Sequence, residues 1–307
     1  MNYTLHQLEI FNKIVELKSV TRTAEELFLT QPAVSIQLKN FQDQFNIPLF
    51  EVVGRKLFIT EFGEEIAAIA RNILTEIQTI NYKALTYQGK IAGKLKLAIV
   101  STAKYAMPYL LSDFIHKHEG VDLIMDVTNK AAVIKSLENN EVDFAMVSTI
   151  PKKLNIERIE LMKNKLFLVG GRGYIKTKNS ITKKEFEKQP LVFRENGSAT
   201  RLEMEKYITK NKLVISKKME LTSNEAIKQA LVAGLGVSIM PLIGLKDSLS
   251  TFELQIIHAK GLPIETTWNL IWLKSKNLSS VAKEFVNHIQ TNKDAIIKEH
   301  FGWFENY

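Results

Sequence analysis

A chain of 307 residues is long enough for roughly two or three units that each bury a hydrophobic core. The chain contains no cysteine, so it can form neither disulfides nor thiolate metal sites. Because it has neither a signal-like leader nor an apolar run of bilayer length, it is expected in the cytoplasm, with no membrane partner. The net charge of +8 is no proof of nucleic-acid binding, because residues 1–60 are neutral overall and the excess lies after residue 90, so DNA affinity must come from locally placed cations.

The first sixty residues have the apolar spacing of three successive helices. The first helix is expected to end near Lys18, and Thr21 is expected to cap the second. Thr30 can cap a third helix with Pro32 in its first turn, where the missing N–H has no intrahelical partner to lose. The residues expected to face inward are, helix by helix, Leu8, Phe11, Ile14, Val15 and Leu17; Ala24, Leu27 and Phe28; and Val34, Leu38, Phe41 and Phe45.

The outward face of the third helix is polar near its N-terminus, which is typical of helices that read bases in the major groove. A glutamine amide can bridge adenine N6 and N7, and a serine hydroxyl can reach a base edge or a phosphate. Two β-prone runs around Gly54 predict a hairpin whose basic tip would lie along phosphates or in a minor groove. An ordinary solvated helix face is the alternative. The residues expected at DNA are Arg22, Thr30, Gln31, Pro32, Ser35, Gln37, Lys39, Arg55 and Lys56.

Residues 61–90 are expected to form a linker helix, with Thr60 as its cap and glutamates near the positive end of the helix dipole. Its apolar residues step by alternating four and three positions, which is the seam spacing of a coiled coil and predicts dimerisation. Packing of this seam on the chain's own N-terminal domain is the alternative, since the repeat is short. Gly89 and Gly93 mark a hinge after the helix. The seam consists of Ile66, Ala70, Ile73, Ile77, Ile80 and Ala84.

After residue 90 strand and helix patterns alternate, which predicts an α/β domain with a mostly parallel sheet. One unit is expected in residues 95–147, and a second, similar unit in residues 166–240. A strand in residues 268–273 and a helix in residues 281–289 are expected to return to the first unit. Two lobes joined by two crossings of the chain would enclose a cleft.

Three helix starts in the α/β domain carry residues suited to an anion, because helix N-termini present free N–H groups. A plain N-cap is the favoured explanation for the third start, at Asn224, whereas the two hydroxyl-rich starts favour a ligand. Arg201 is expected to fix the charge of the ligand or, alternatively, to brace the fold. The residues expected at the ligand are Ser101, Thr102, Lys104, Gly197, Ser198, Ala199, Thr200, Arg201 and Asn224.

Three N-terminal motifs stand out: Thr30-Gln-Pro-Ala-Val-Ser-x-Gln37, Pro48-Leu-Phe50 and Gly54-Arg-Lys-x-x-x-Thr60. They resemble the corresponding motifs of LysR-type transcriptional regulators. Three later segments look like that family's effector domain: Val100–Tyr105, Arg194–Arg201 and Asn224–Gly236. The first two of these are especially similar to regulators of RuBisCO operons. The chain departs from the family pattern at Phe41-Gln42, where Leu-Glu is usual, and this change leaves the outward face of the helix intact.

The resemblance implies a winged helix-turn-helix in residues 1–60, a linker and dimerisation helix in residues 61–90, and an effector-binding domain in residues 91–307. That domain would have a two-lobed α/β fold like that of periplasmic solute-binding proteins. Its lobe I would comprise about 91–163 and 267–307, and its lobe II about 164–266. The effector would lie between the lobes, near the two crossings.

The resemblance also implies a regulator that binds promoter DNA as a homo-oligomer, either a dimer or a dimer of dimers, and responds to a small anionic metabolite. A phosphorylated sugar, a nicotinamide cofactor or a carboxylate would suit the same residues, and contact with RNA polymerase is left open. A soluble solute-binding receptor would lack residues 1–88, and an enzyme would need a catalytic constellation. Because the sequence contains no nucleophile elbow, P-loop or paired-histidine motif, no catalytic residue, metal ligand or resident cofactor is expected.

Overall fold

The computed structural model describes residues 2–54, 56–174 and 180–307, and it divides into two compact units, Met1–Lys90 and Ile91–Tyr307. Within these described ranges no helix is both long and apolar enough to cross a membrane. The elements of the first unit are α1 (Leu5–Leu17), α2 (Val20–Glu26), α3 (Gln31–Gln42), β1 (Phe50–Val53), β2 (Lys56–Ile59) and α4 (Glu61–Tyr87).

Hydroxyl side chains cap the helices of the first unit and set where they begin. The hydroxyl of Thr30 accepts a hydrogen bond from the N–H of Ala33 at 3.4 Å, so α3 begins where the sequence predicts. The prediction for α2 is wrong by two residues. The hydroxyl of Ser19, not that of Thr21, accepts from the N–H of Arg22 at 3.3 Å and starts the helix.

An aromatic cluster joins α1 to α3 in the core of the first unit. The ring centroids of Phe11 and Phe41 lie 5.2 Å apart, and those of Phe41 and Phe45 also lie 5.2 Å apart. Phe45 therefore packs as expected, although it follows the end of α3. Phe28 was expected to face inward, but it is 95% exposed, because it lies beyond α2 in the turn to α3 with a φ of +55°.

Gly63, in the first turn of α4, lies against the segment that precedes β1. A Cβ at this position would lie 2.0 Å from the backbone oxygen of Leu49 and 2.9 Å from Cγ2 of Ile59. The same oxygen accepts the N–H of Thr60 at 3.1 Å, so it cannot move aside without breaking that bond. We therefore expect Gly63→Ala to destabilise the first unit by about 1–3 kcal/mol, measured by urea denaturation.

The control for this prediction is Gly302→Ala, because a Cβ at Gly302 would meet no atom within 4 Å and its backbone is not left-handed. This variant should unfold at the wild-type urea concentration. Equal unfolding midpoints for wild type and Gly63→Ala would show that the segment before β1 yields without cost.

The second unit consists of alternating strands and helices. Its strands are β3 (Ala92–Val100), β4 (Gly120–Thr128), β5 (Phe144–Val147), β6 (Ile156–Gly171), β7 (Leu191–Arg194), β8 (Lys218–Leu221), β9 (Val237–Pro241), β10 (Leu254–Ile256) and β11 (Ile264–Leu273). Its helices are α5 (Met107–Lys117), α6 (Lys130–Glu138), α7 (Lys183–Glu187), α8 (Ala199–Lys210), α9 (Asn224–Val232), α10 (Lys246–Ser250) and α11 (Ser280–Phe301).

The strands form one mixed sheet in the order β4-β3-β5-β11-β6-β9-β7-β8, with β10 also paired to β6. The pairs β3–β4, β3–β5, β7–β8 and β7–β9 are parallel, as predicted. The pairs that involve β6 or β11 are antiparallel, so the sheet is not mostly parallel. The reason is that these two long strands carry the chain between the halves of the sheet and pair with the strands of both.

The two crossing strands meet at Asn164 and Thr266, which lie opposite each other in the β6–β11 register. The Asn164 side chain donates a hydrogen bond from Nδ2 to Oγ1 of Thr266 at 3.1 Å. A register shift between Thr267 and Asn269 follows in β11. The lobe boundaries at residues 163–164 and 266–267 stay predictions. Below, "lobe I" denotes strands β3, β4 and β5 with helices α5 and α6, and "lobe II" denotes strands β7, β8 and β9 with helices α8 and α9.

Candidate nucleic-acid interface and effector site

The N-terminal half of α3 presents the polar face that the sequence predicts for DNA. Gln31, Pro32 and Lys39 are exposed, whereas Ser35 and Gln37 are half-buried at the edges of this face. The Gln31 amide donates from Nε2 to Oγ of Ser35 at 3.0 Å, which holds both side chains in place. Within the described residues the Gln37 amide has no hydrogen-bond partner, so its donor and acceptor are both available.

Ile36 lies in the middle of the same face with 58% of its surface exposed. The sequence analysis missed it, because a polar pattern was used to find this face. An exposed aliphatic side chain on a base-reading helix can contact the methyl group of thymine. The signal that could have found it is the helical spacing itself, since Ile36 lies outside the stripe of Val34 and Leu38.

Three cations of the first unit, Arg22, Lys39 and Lys56, are exposed and form no ion pair within the described residues. Lys13 contrasts with them, because its Nζ lies 3.0 Å from Glu16 and 3.3 Å from Glu26. Unpaired cations are available to phosphates, which supply most of the affinity of proteins for DNA. Lys56 opens strand β2 of the two-stranded hairpin, and Arg55 lies outside the described residues.

The predicted seam of α4 divides into two halves with different surroundings. Ala70 is 1% exposed in the core of the first unit, where the half-buried Ile66 and Ile73 also pack. The alternative that the sequence left open, packing on the chain's own domain, therefore applies to this half. Ile77, Ile80 and Ala84 lie beyond that core, and Ile80 is 65% exposed.

A buried arginine joins the two lobes of the second unit. Arg194, at the end of β7 in lobe II, is 3% exposed. Its Nη1 donates to Oγ of Ser101 at 3.1 Å and to Oδ1 of Asn224 at 2.6 Å. Ser101 directly follows β3 in lobe I. Its Nε and Nη2 donate to the two carboxylate oxygens of Glu195 at 2.8 and 2.9 Å. We call Ser101, Arg194, Glu195 and Asn224 the interlobe cluster.

The sequence analysis missed Arg194 and expected Arg201 to hold the charge of the ligand. Arg201 is engaged elsewhere: it bonds Glu205 at 2.8 Å, Glu220 and the backbone oxygen of Arg194 at 3.0 Å. The side-chain hydrogen bonds to Glu205 and then Glu220 raise the pKa of Arg201 above its usual value. This guanidinium braces lobe II, which is the alternative that the sequence analysis left open.

The helix-start residues have separate tasks in the structure. Ser223 caps α9 by accepting from the N–H of Ala226 at 3.0 Å, so Asn224 is not the cap and its side chain is available to Arg194. Ser198 caps α8, and its hydroxyl accepts from the N–H of Arg201 at 3.5 Å. The remaining expected residues are placed as follows: Thr102, Ala199 and Thr200 are buried, and Lys104 is exposed.

Gly197 packs lobe II against the start of α6 in lobe I. Its backbone oxygen accepts the N–H of Ala131 at 3.3 Å. A Cβ there would lie 3.0 Å from Cβ of Ala131, and the φ of +86° is a left-handed conformation that favours glycine. The sequence predicts Gly197 at the ligand, and the structure adds that it allows close approach between the lobes at Ala131.

Two buried polar atoms near the cluster lack hydrogen-bond partners within the described residues. They are Nδ2 of Asn224 and Oγ1 of Thr149. Thr149 follows β5 at the sheet edge where Ser101 follows β3, since the two strands are parallel with Ile99 opposite Met146. Buried polar groups are nearly always paired with protein, water or a ligand, so these two atoms are available to a polar group that enters between the strand ends.

A cavity of about 550 Å³ opens beside α6 and α8. Gly197, Ser198 and Arg201 line it together with three lysines. Burial, and then the charge of Lys206, lowers the pKa of one of these, Lys130. The lysines are Lys130, Lys152 and Lys153, and they form no ion pair within the described residues. In those residues no group of three or more histidines, aspartates or glutamates is arranged to hold a metal ion.

Comparison with known protein families gives two matches that together span most of the chain. Residues 5–64 match the bacterial regulatory helix-turn-helix protein of the lysR family, and residues 88–294 match the LysR substrate binding domain. The boundary between these matches lies within and just after α4.

Two curated relatives align over almost their whole length. The "HTH-type transcriptional activator CmpR" of Synechocystis sp. is 35% identical over 296 residues, which are 96% of this chain and 97% of the relative. The "RuBisCO operon transcriptional regulator" of Allochromatium vinosum is 32% identical over 93% of this chain and 95% of the relative. Among solved structures, the regulatory domain of Synechocystis PCC6803 CcmR in complex with 2-PG matches with a TM-score of 0.62 and 31% identity, covering 66% of this chain and 97% of that domain.

Proposed function

This chain belongs to the LysR family of bacterial transcriptional regulators, in the subgroup of RuBisCO-operon regulators, and from that premise we propose that an anionic metabolite binds at its interlobe cluster and controls its engagement of promoter DNA. Membership makes the protein a DNA-binding regulator that responds to a small metabolite, and not an enzyme. The proposal adds to this that the metabolite binds at the interlobe cluster and that it is an anion.

The observation that carries the proposal is the guanidinium of Arg194, which is buried between the lobes beside unpaired polar atoms. An arginine fork binds a carboxylate or a phosphate through two parallel hydrogen bonds, and such charge-assisted bonds are the strong ones. Ser101 and Asn224 already hold this fork, and Nδ2 of Asn224 is left to donate to a ligand oxygen. Arg194 thus offers a positive charge, and Asn224 a neutral donor, to an anion that displaces Glu195.

The cavity beside α6 and α8 is the proposed place for the remainder of the metabolite, because Asn196, Gly197 and Ser198, which line it, follow Glu195 directly in the chain. Its volume of about 550 Å³ suits a small molecule. Its unpaired lysines, Lys130, Lys152 and Lys153, would attract a second anionic group. The solved CcmR regulatory domain was obtained with 2-PG, which makes 2-PG a rational member of any panel of test ligands.

Ligand binding at the cluster would stabilise one arrangement of the two lobes, because Ser101 belongs to lobe I and Arg194 to lobe II. A ligand can shift such an equilibrium only by the difference between its affinities for the two arrangements. Effector and DNA must therefore change each other's affinity by the same factor. An operator fragment should alter the Kd of the effector, and the effector should alter the Kd of the operator equally.

The proposed partners are promoter DNA, the anionic metabolite and further copies of this chain, assembled as a dimer or a dimer of dimers. RNA polymerase is proposed as an additional partner, since one relative is named a transcriptional activator. The site of action is then the cytoplasm, where bacterial promoter DNA lies. Footprinting of polymerase on the chain's own upstream DNA, with and without the regulator, tests this contact.

Arg194→Gln should weaken the binding of anionic metabolites about 10- to 100-fold, because a hydrogen bond to a charged group contributes about 1.5–3 kcal/mol. Isothermal titration calorimetry with inorganic phosphate, 2-PG, phosphorylated sugars and nicotinamide nucleotides measures the effect. Glutamine keeps much of the side-chain length and can still donate to Ser101. Unliganded thermal denaturation shows whether the variant is folded.

The matched control is Arg158→Gln, because Arg158 is also paired with a glutamate, Glu160 at 3.2 Å, but lines neither the cluster nor the cavity. It should retain effector affinity within about threefold once its fold is verified. A metabolite that binds wild type and Arg194→Gln equally well would place the effector site elsewhere in the chain.

A further inference from the structure

We propose that Glu195 is a built-in competitor of the effector, since its carboxylate occupies the Arg194 guanidinium that the effector's anionic group must engage. This inference rests on the proposed effector site and adds to it an internal carboxylate that every anionic ligand must displace. The competitor lowers the apparent affinity of every anion at Arg194.

The geometry of the pair is that of a bound ligand. Nε and Nη2 of Arg194 donate to separate oxygens of the Glu195 carboxylate at 2.8 and 2.9 Å, in the parallel arrangement by which arginine binds free carboxylates. Nη1 is engaged by Ser101 and Asn224. The fork therefore has no second edge free for a bidentate anion, and a ligand must take the edge that Glu195 holds.

Burial explains why an internal carboxylate is needed in the absence of a ligand. The Arg194 side chain is 3% exposed, and a buried charge without a partner is strongly destabilising. The Glu195 side chain is 17% exposed, so it reaches solvent and can leave the pair without crossing the core. The guanidinium of Arg194 therefore has a negatively charged partner both before and after a ligand replaces Glu195.

The strength of the competition follows from tethering. Glu195 is the next residue after Arg194, so its carboxylate acts at a high effective concentration, on the order of millimolar or above. If only a small fraction of molecules has the edge free, the apparent Kd of any ligand rises by the inverse of that fraction. A monocarboxylate offers only what Glu195 already supplies.

A phosphate group can overcome this competitor where a carboxylate cannot. It carries a charge between about −1.5 and −2 near neutral pH and has three acceptor oxygens. Two oxygens can take the edge of Arg194 that Glu195 leaves, and the third remains for another donor, such as the unpaired Nδ2 of Asn224. A carboxylate has no third oxygen to offer.

The test compares glycolate with phosphoglycolate by calorimetry on wild type, Glu195→Gln and Glu195→Asp. Removal of a competitor lowers the Kd of every ligand by one common factor, so Glu195→Gln should strengthen both ligands by a similar factor of about 10 or more. Glu195→Asp keeps the charge but is one methylene shorter, so its carboxylate cannot accept equally well from Nε and Nη2 of Arg194. It should strengthen both ligands by a smaller common factor.

The control is Glu225→Gln, which removes one negative charge from the start of α9, where Glu225 pairs with Lys228 and not with Arg194. General repulsion would act more on phosphoglycolate, which carries a phosphate and a carboxylate, than on the monoanion glycolate, and Glu195→Asp would then behave as wild type. If Glu195→Gln resembles Glu225→Gln, or strengthens phosphoglycolate alone, the inference is overturned.

The proposed function and this inference fail differently. Equal binding of phosphoglycolate to wild type and Arg194→Gln overturns the effector site and the inference together. Binding that depends on Arg194 but is unchanged in both Glu195 variants overturns the inference alone. Glu195→Gln should also lower the melting temperature of the unliganded protein, with phosphoglycolate restoring it, since the ligand then supplies the missing partner of the guanidinium.

Discussion

Replacing Ile77 and Ile80 together by aspartate should separate the protein into monomers and weaken operator binding by about 100-fold or more. Both residues belong to the part of the α4 seam that lies beyond the core of the first unit. A partner helix would bury them, and an unpaired carboxylate in such a seam costs several kcal/mol. A monomer holds only one reading helix and loses the second half-site.

Multi-angle light scattering gives the mass of the assembly, and a gel shift gives the operator affinity. The control variant carries Asn72→Asp and Gln78→Asp, which add two carboxylates on the exposed opposite side of α4. It should keep the wild-type mass. Ile73 is left unchanged, because it packs in the first unit's own core and its substitution would unfold that unit. Retention of the wild-type mass by the Ile77→Asp/Ile80→Asp variant would place the interface outside this seam.

Gln37→Ala should relax the sequence preference of the regulator at one operator position, at a cost of about 1–3 kcal/mol on the preferred base. The Gln37 amide has no intramolecular hydrogen-bond partner in the described part of the chain, so the substitution removes a base contact without breaking the fold. Selection from randomised operators measures preference. An unchanged preference and affinity would remove Gln37 from the interface.

Lys56→Ala should act on all DNA sequences alike, since we expect this exposed, unpaired lysine of the hairpin to contact phosphates and not bases. The slope of log Kd against log salt should decrease by about 1. Lys13→Ala is the matched control, because Lys13 is already paired with Glu16 and Glu26 and should leave the slope unchanged. Identical slopes for Lys56→Ala and wild type would contradict a phosphate contact.

Local chemistry made much of the first unit readable from sequence. Thr30 followed by Pro32 predicts the start of α3, because a cap and a proline act within one turn of helix. Thr60 marks the start of α4 for the same reason, and its hydroxyl accepts from the N–H of Gly63 at 3.0 Å. The error at α2 is also local, since Ser19 and Thr21 are both competent caps and only the packing of the turn selects between them.

The interlobe cluster was less readable, because its residues come from distant parts of the chain and meet only in space. Arg194 and Arg201 flank the same glycine-containing segment, and nothing local distinguishes the two guanidiniums. The distinction comes from Glu205 and Glu220, which hold Arg201, and from Ser101, which lies 93 residues before Arg194 in the chain. The residues predicted at the ligand stay a prediction, and the structure adds to them that Arg194, and not Arg201, contacts Ser101.

The sequence by itself determined the order of the elements, the polar face of α3 and the helix starts at α8 and α9, because periodicity, caps and turn residues act over a few positions. Tertiary structure alone decided that β6 and β11 run antiparallel to their neighbours and that Ala70 serves the chain's own core. It also decided that Arg194 spans the lobes. These outcomes depend on which distant surfaces meet, and the spacing of residues along the chain carries no record of that.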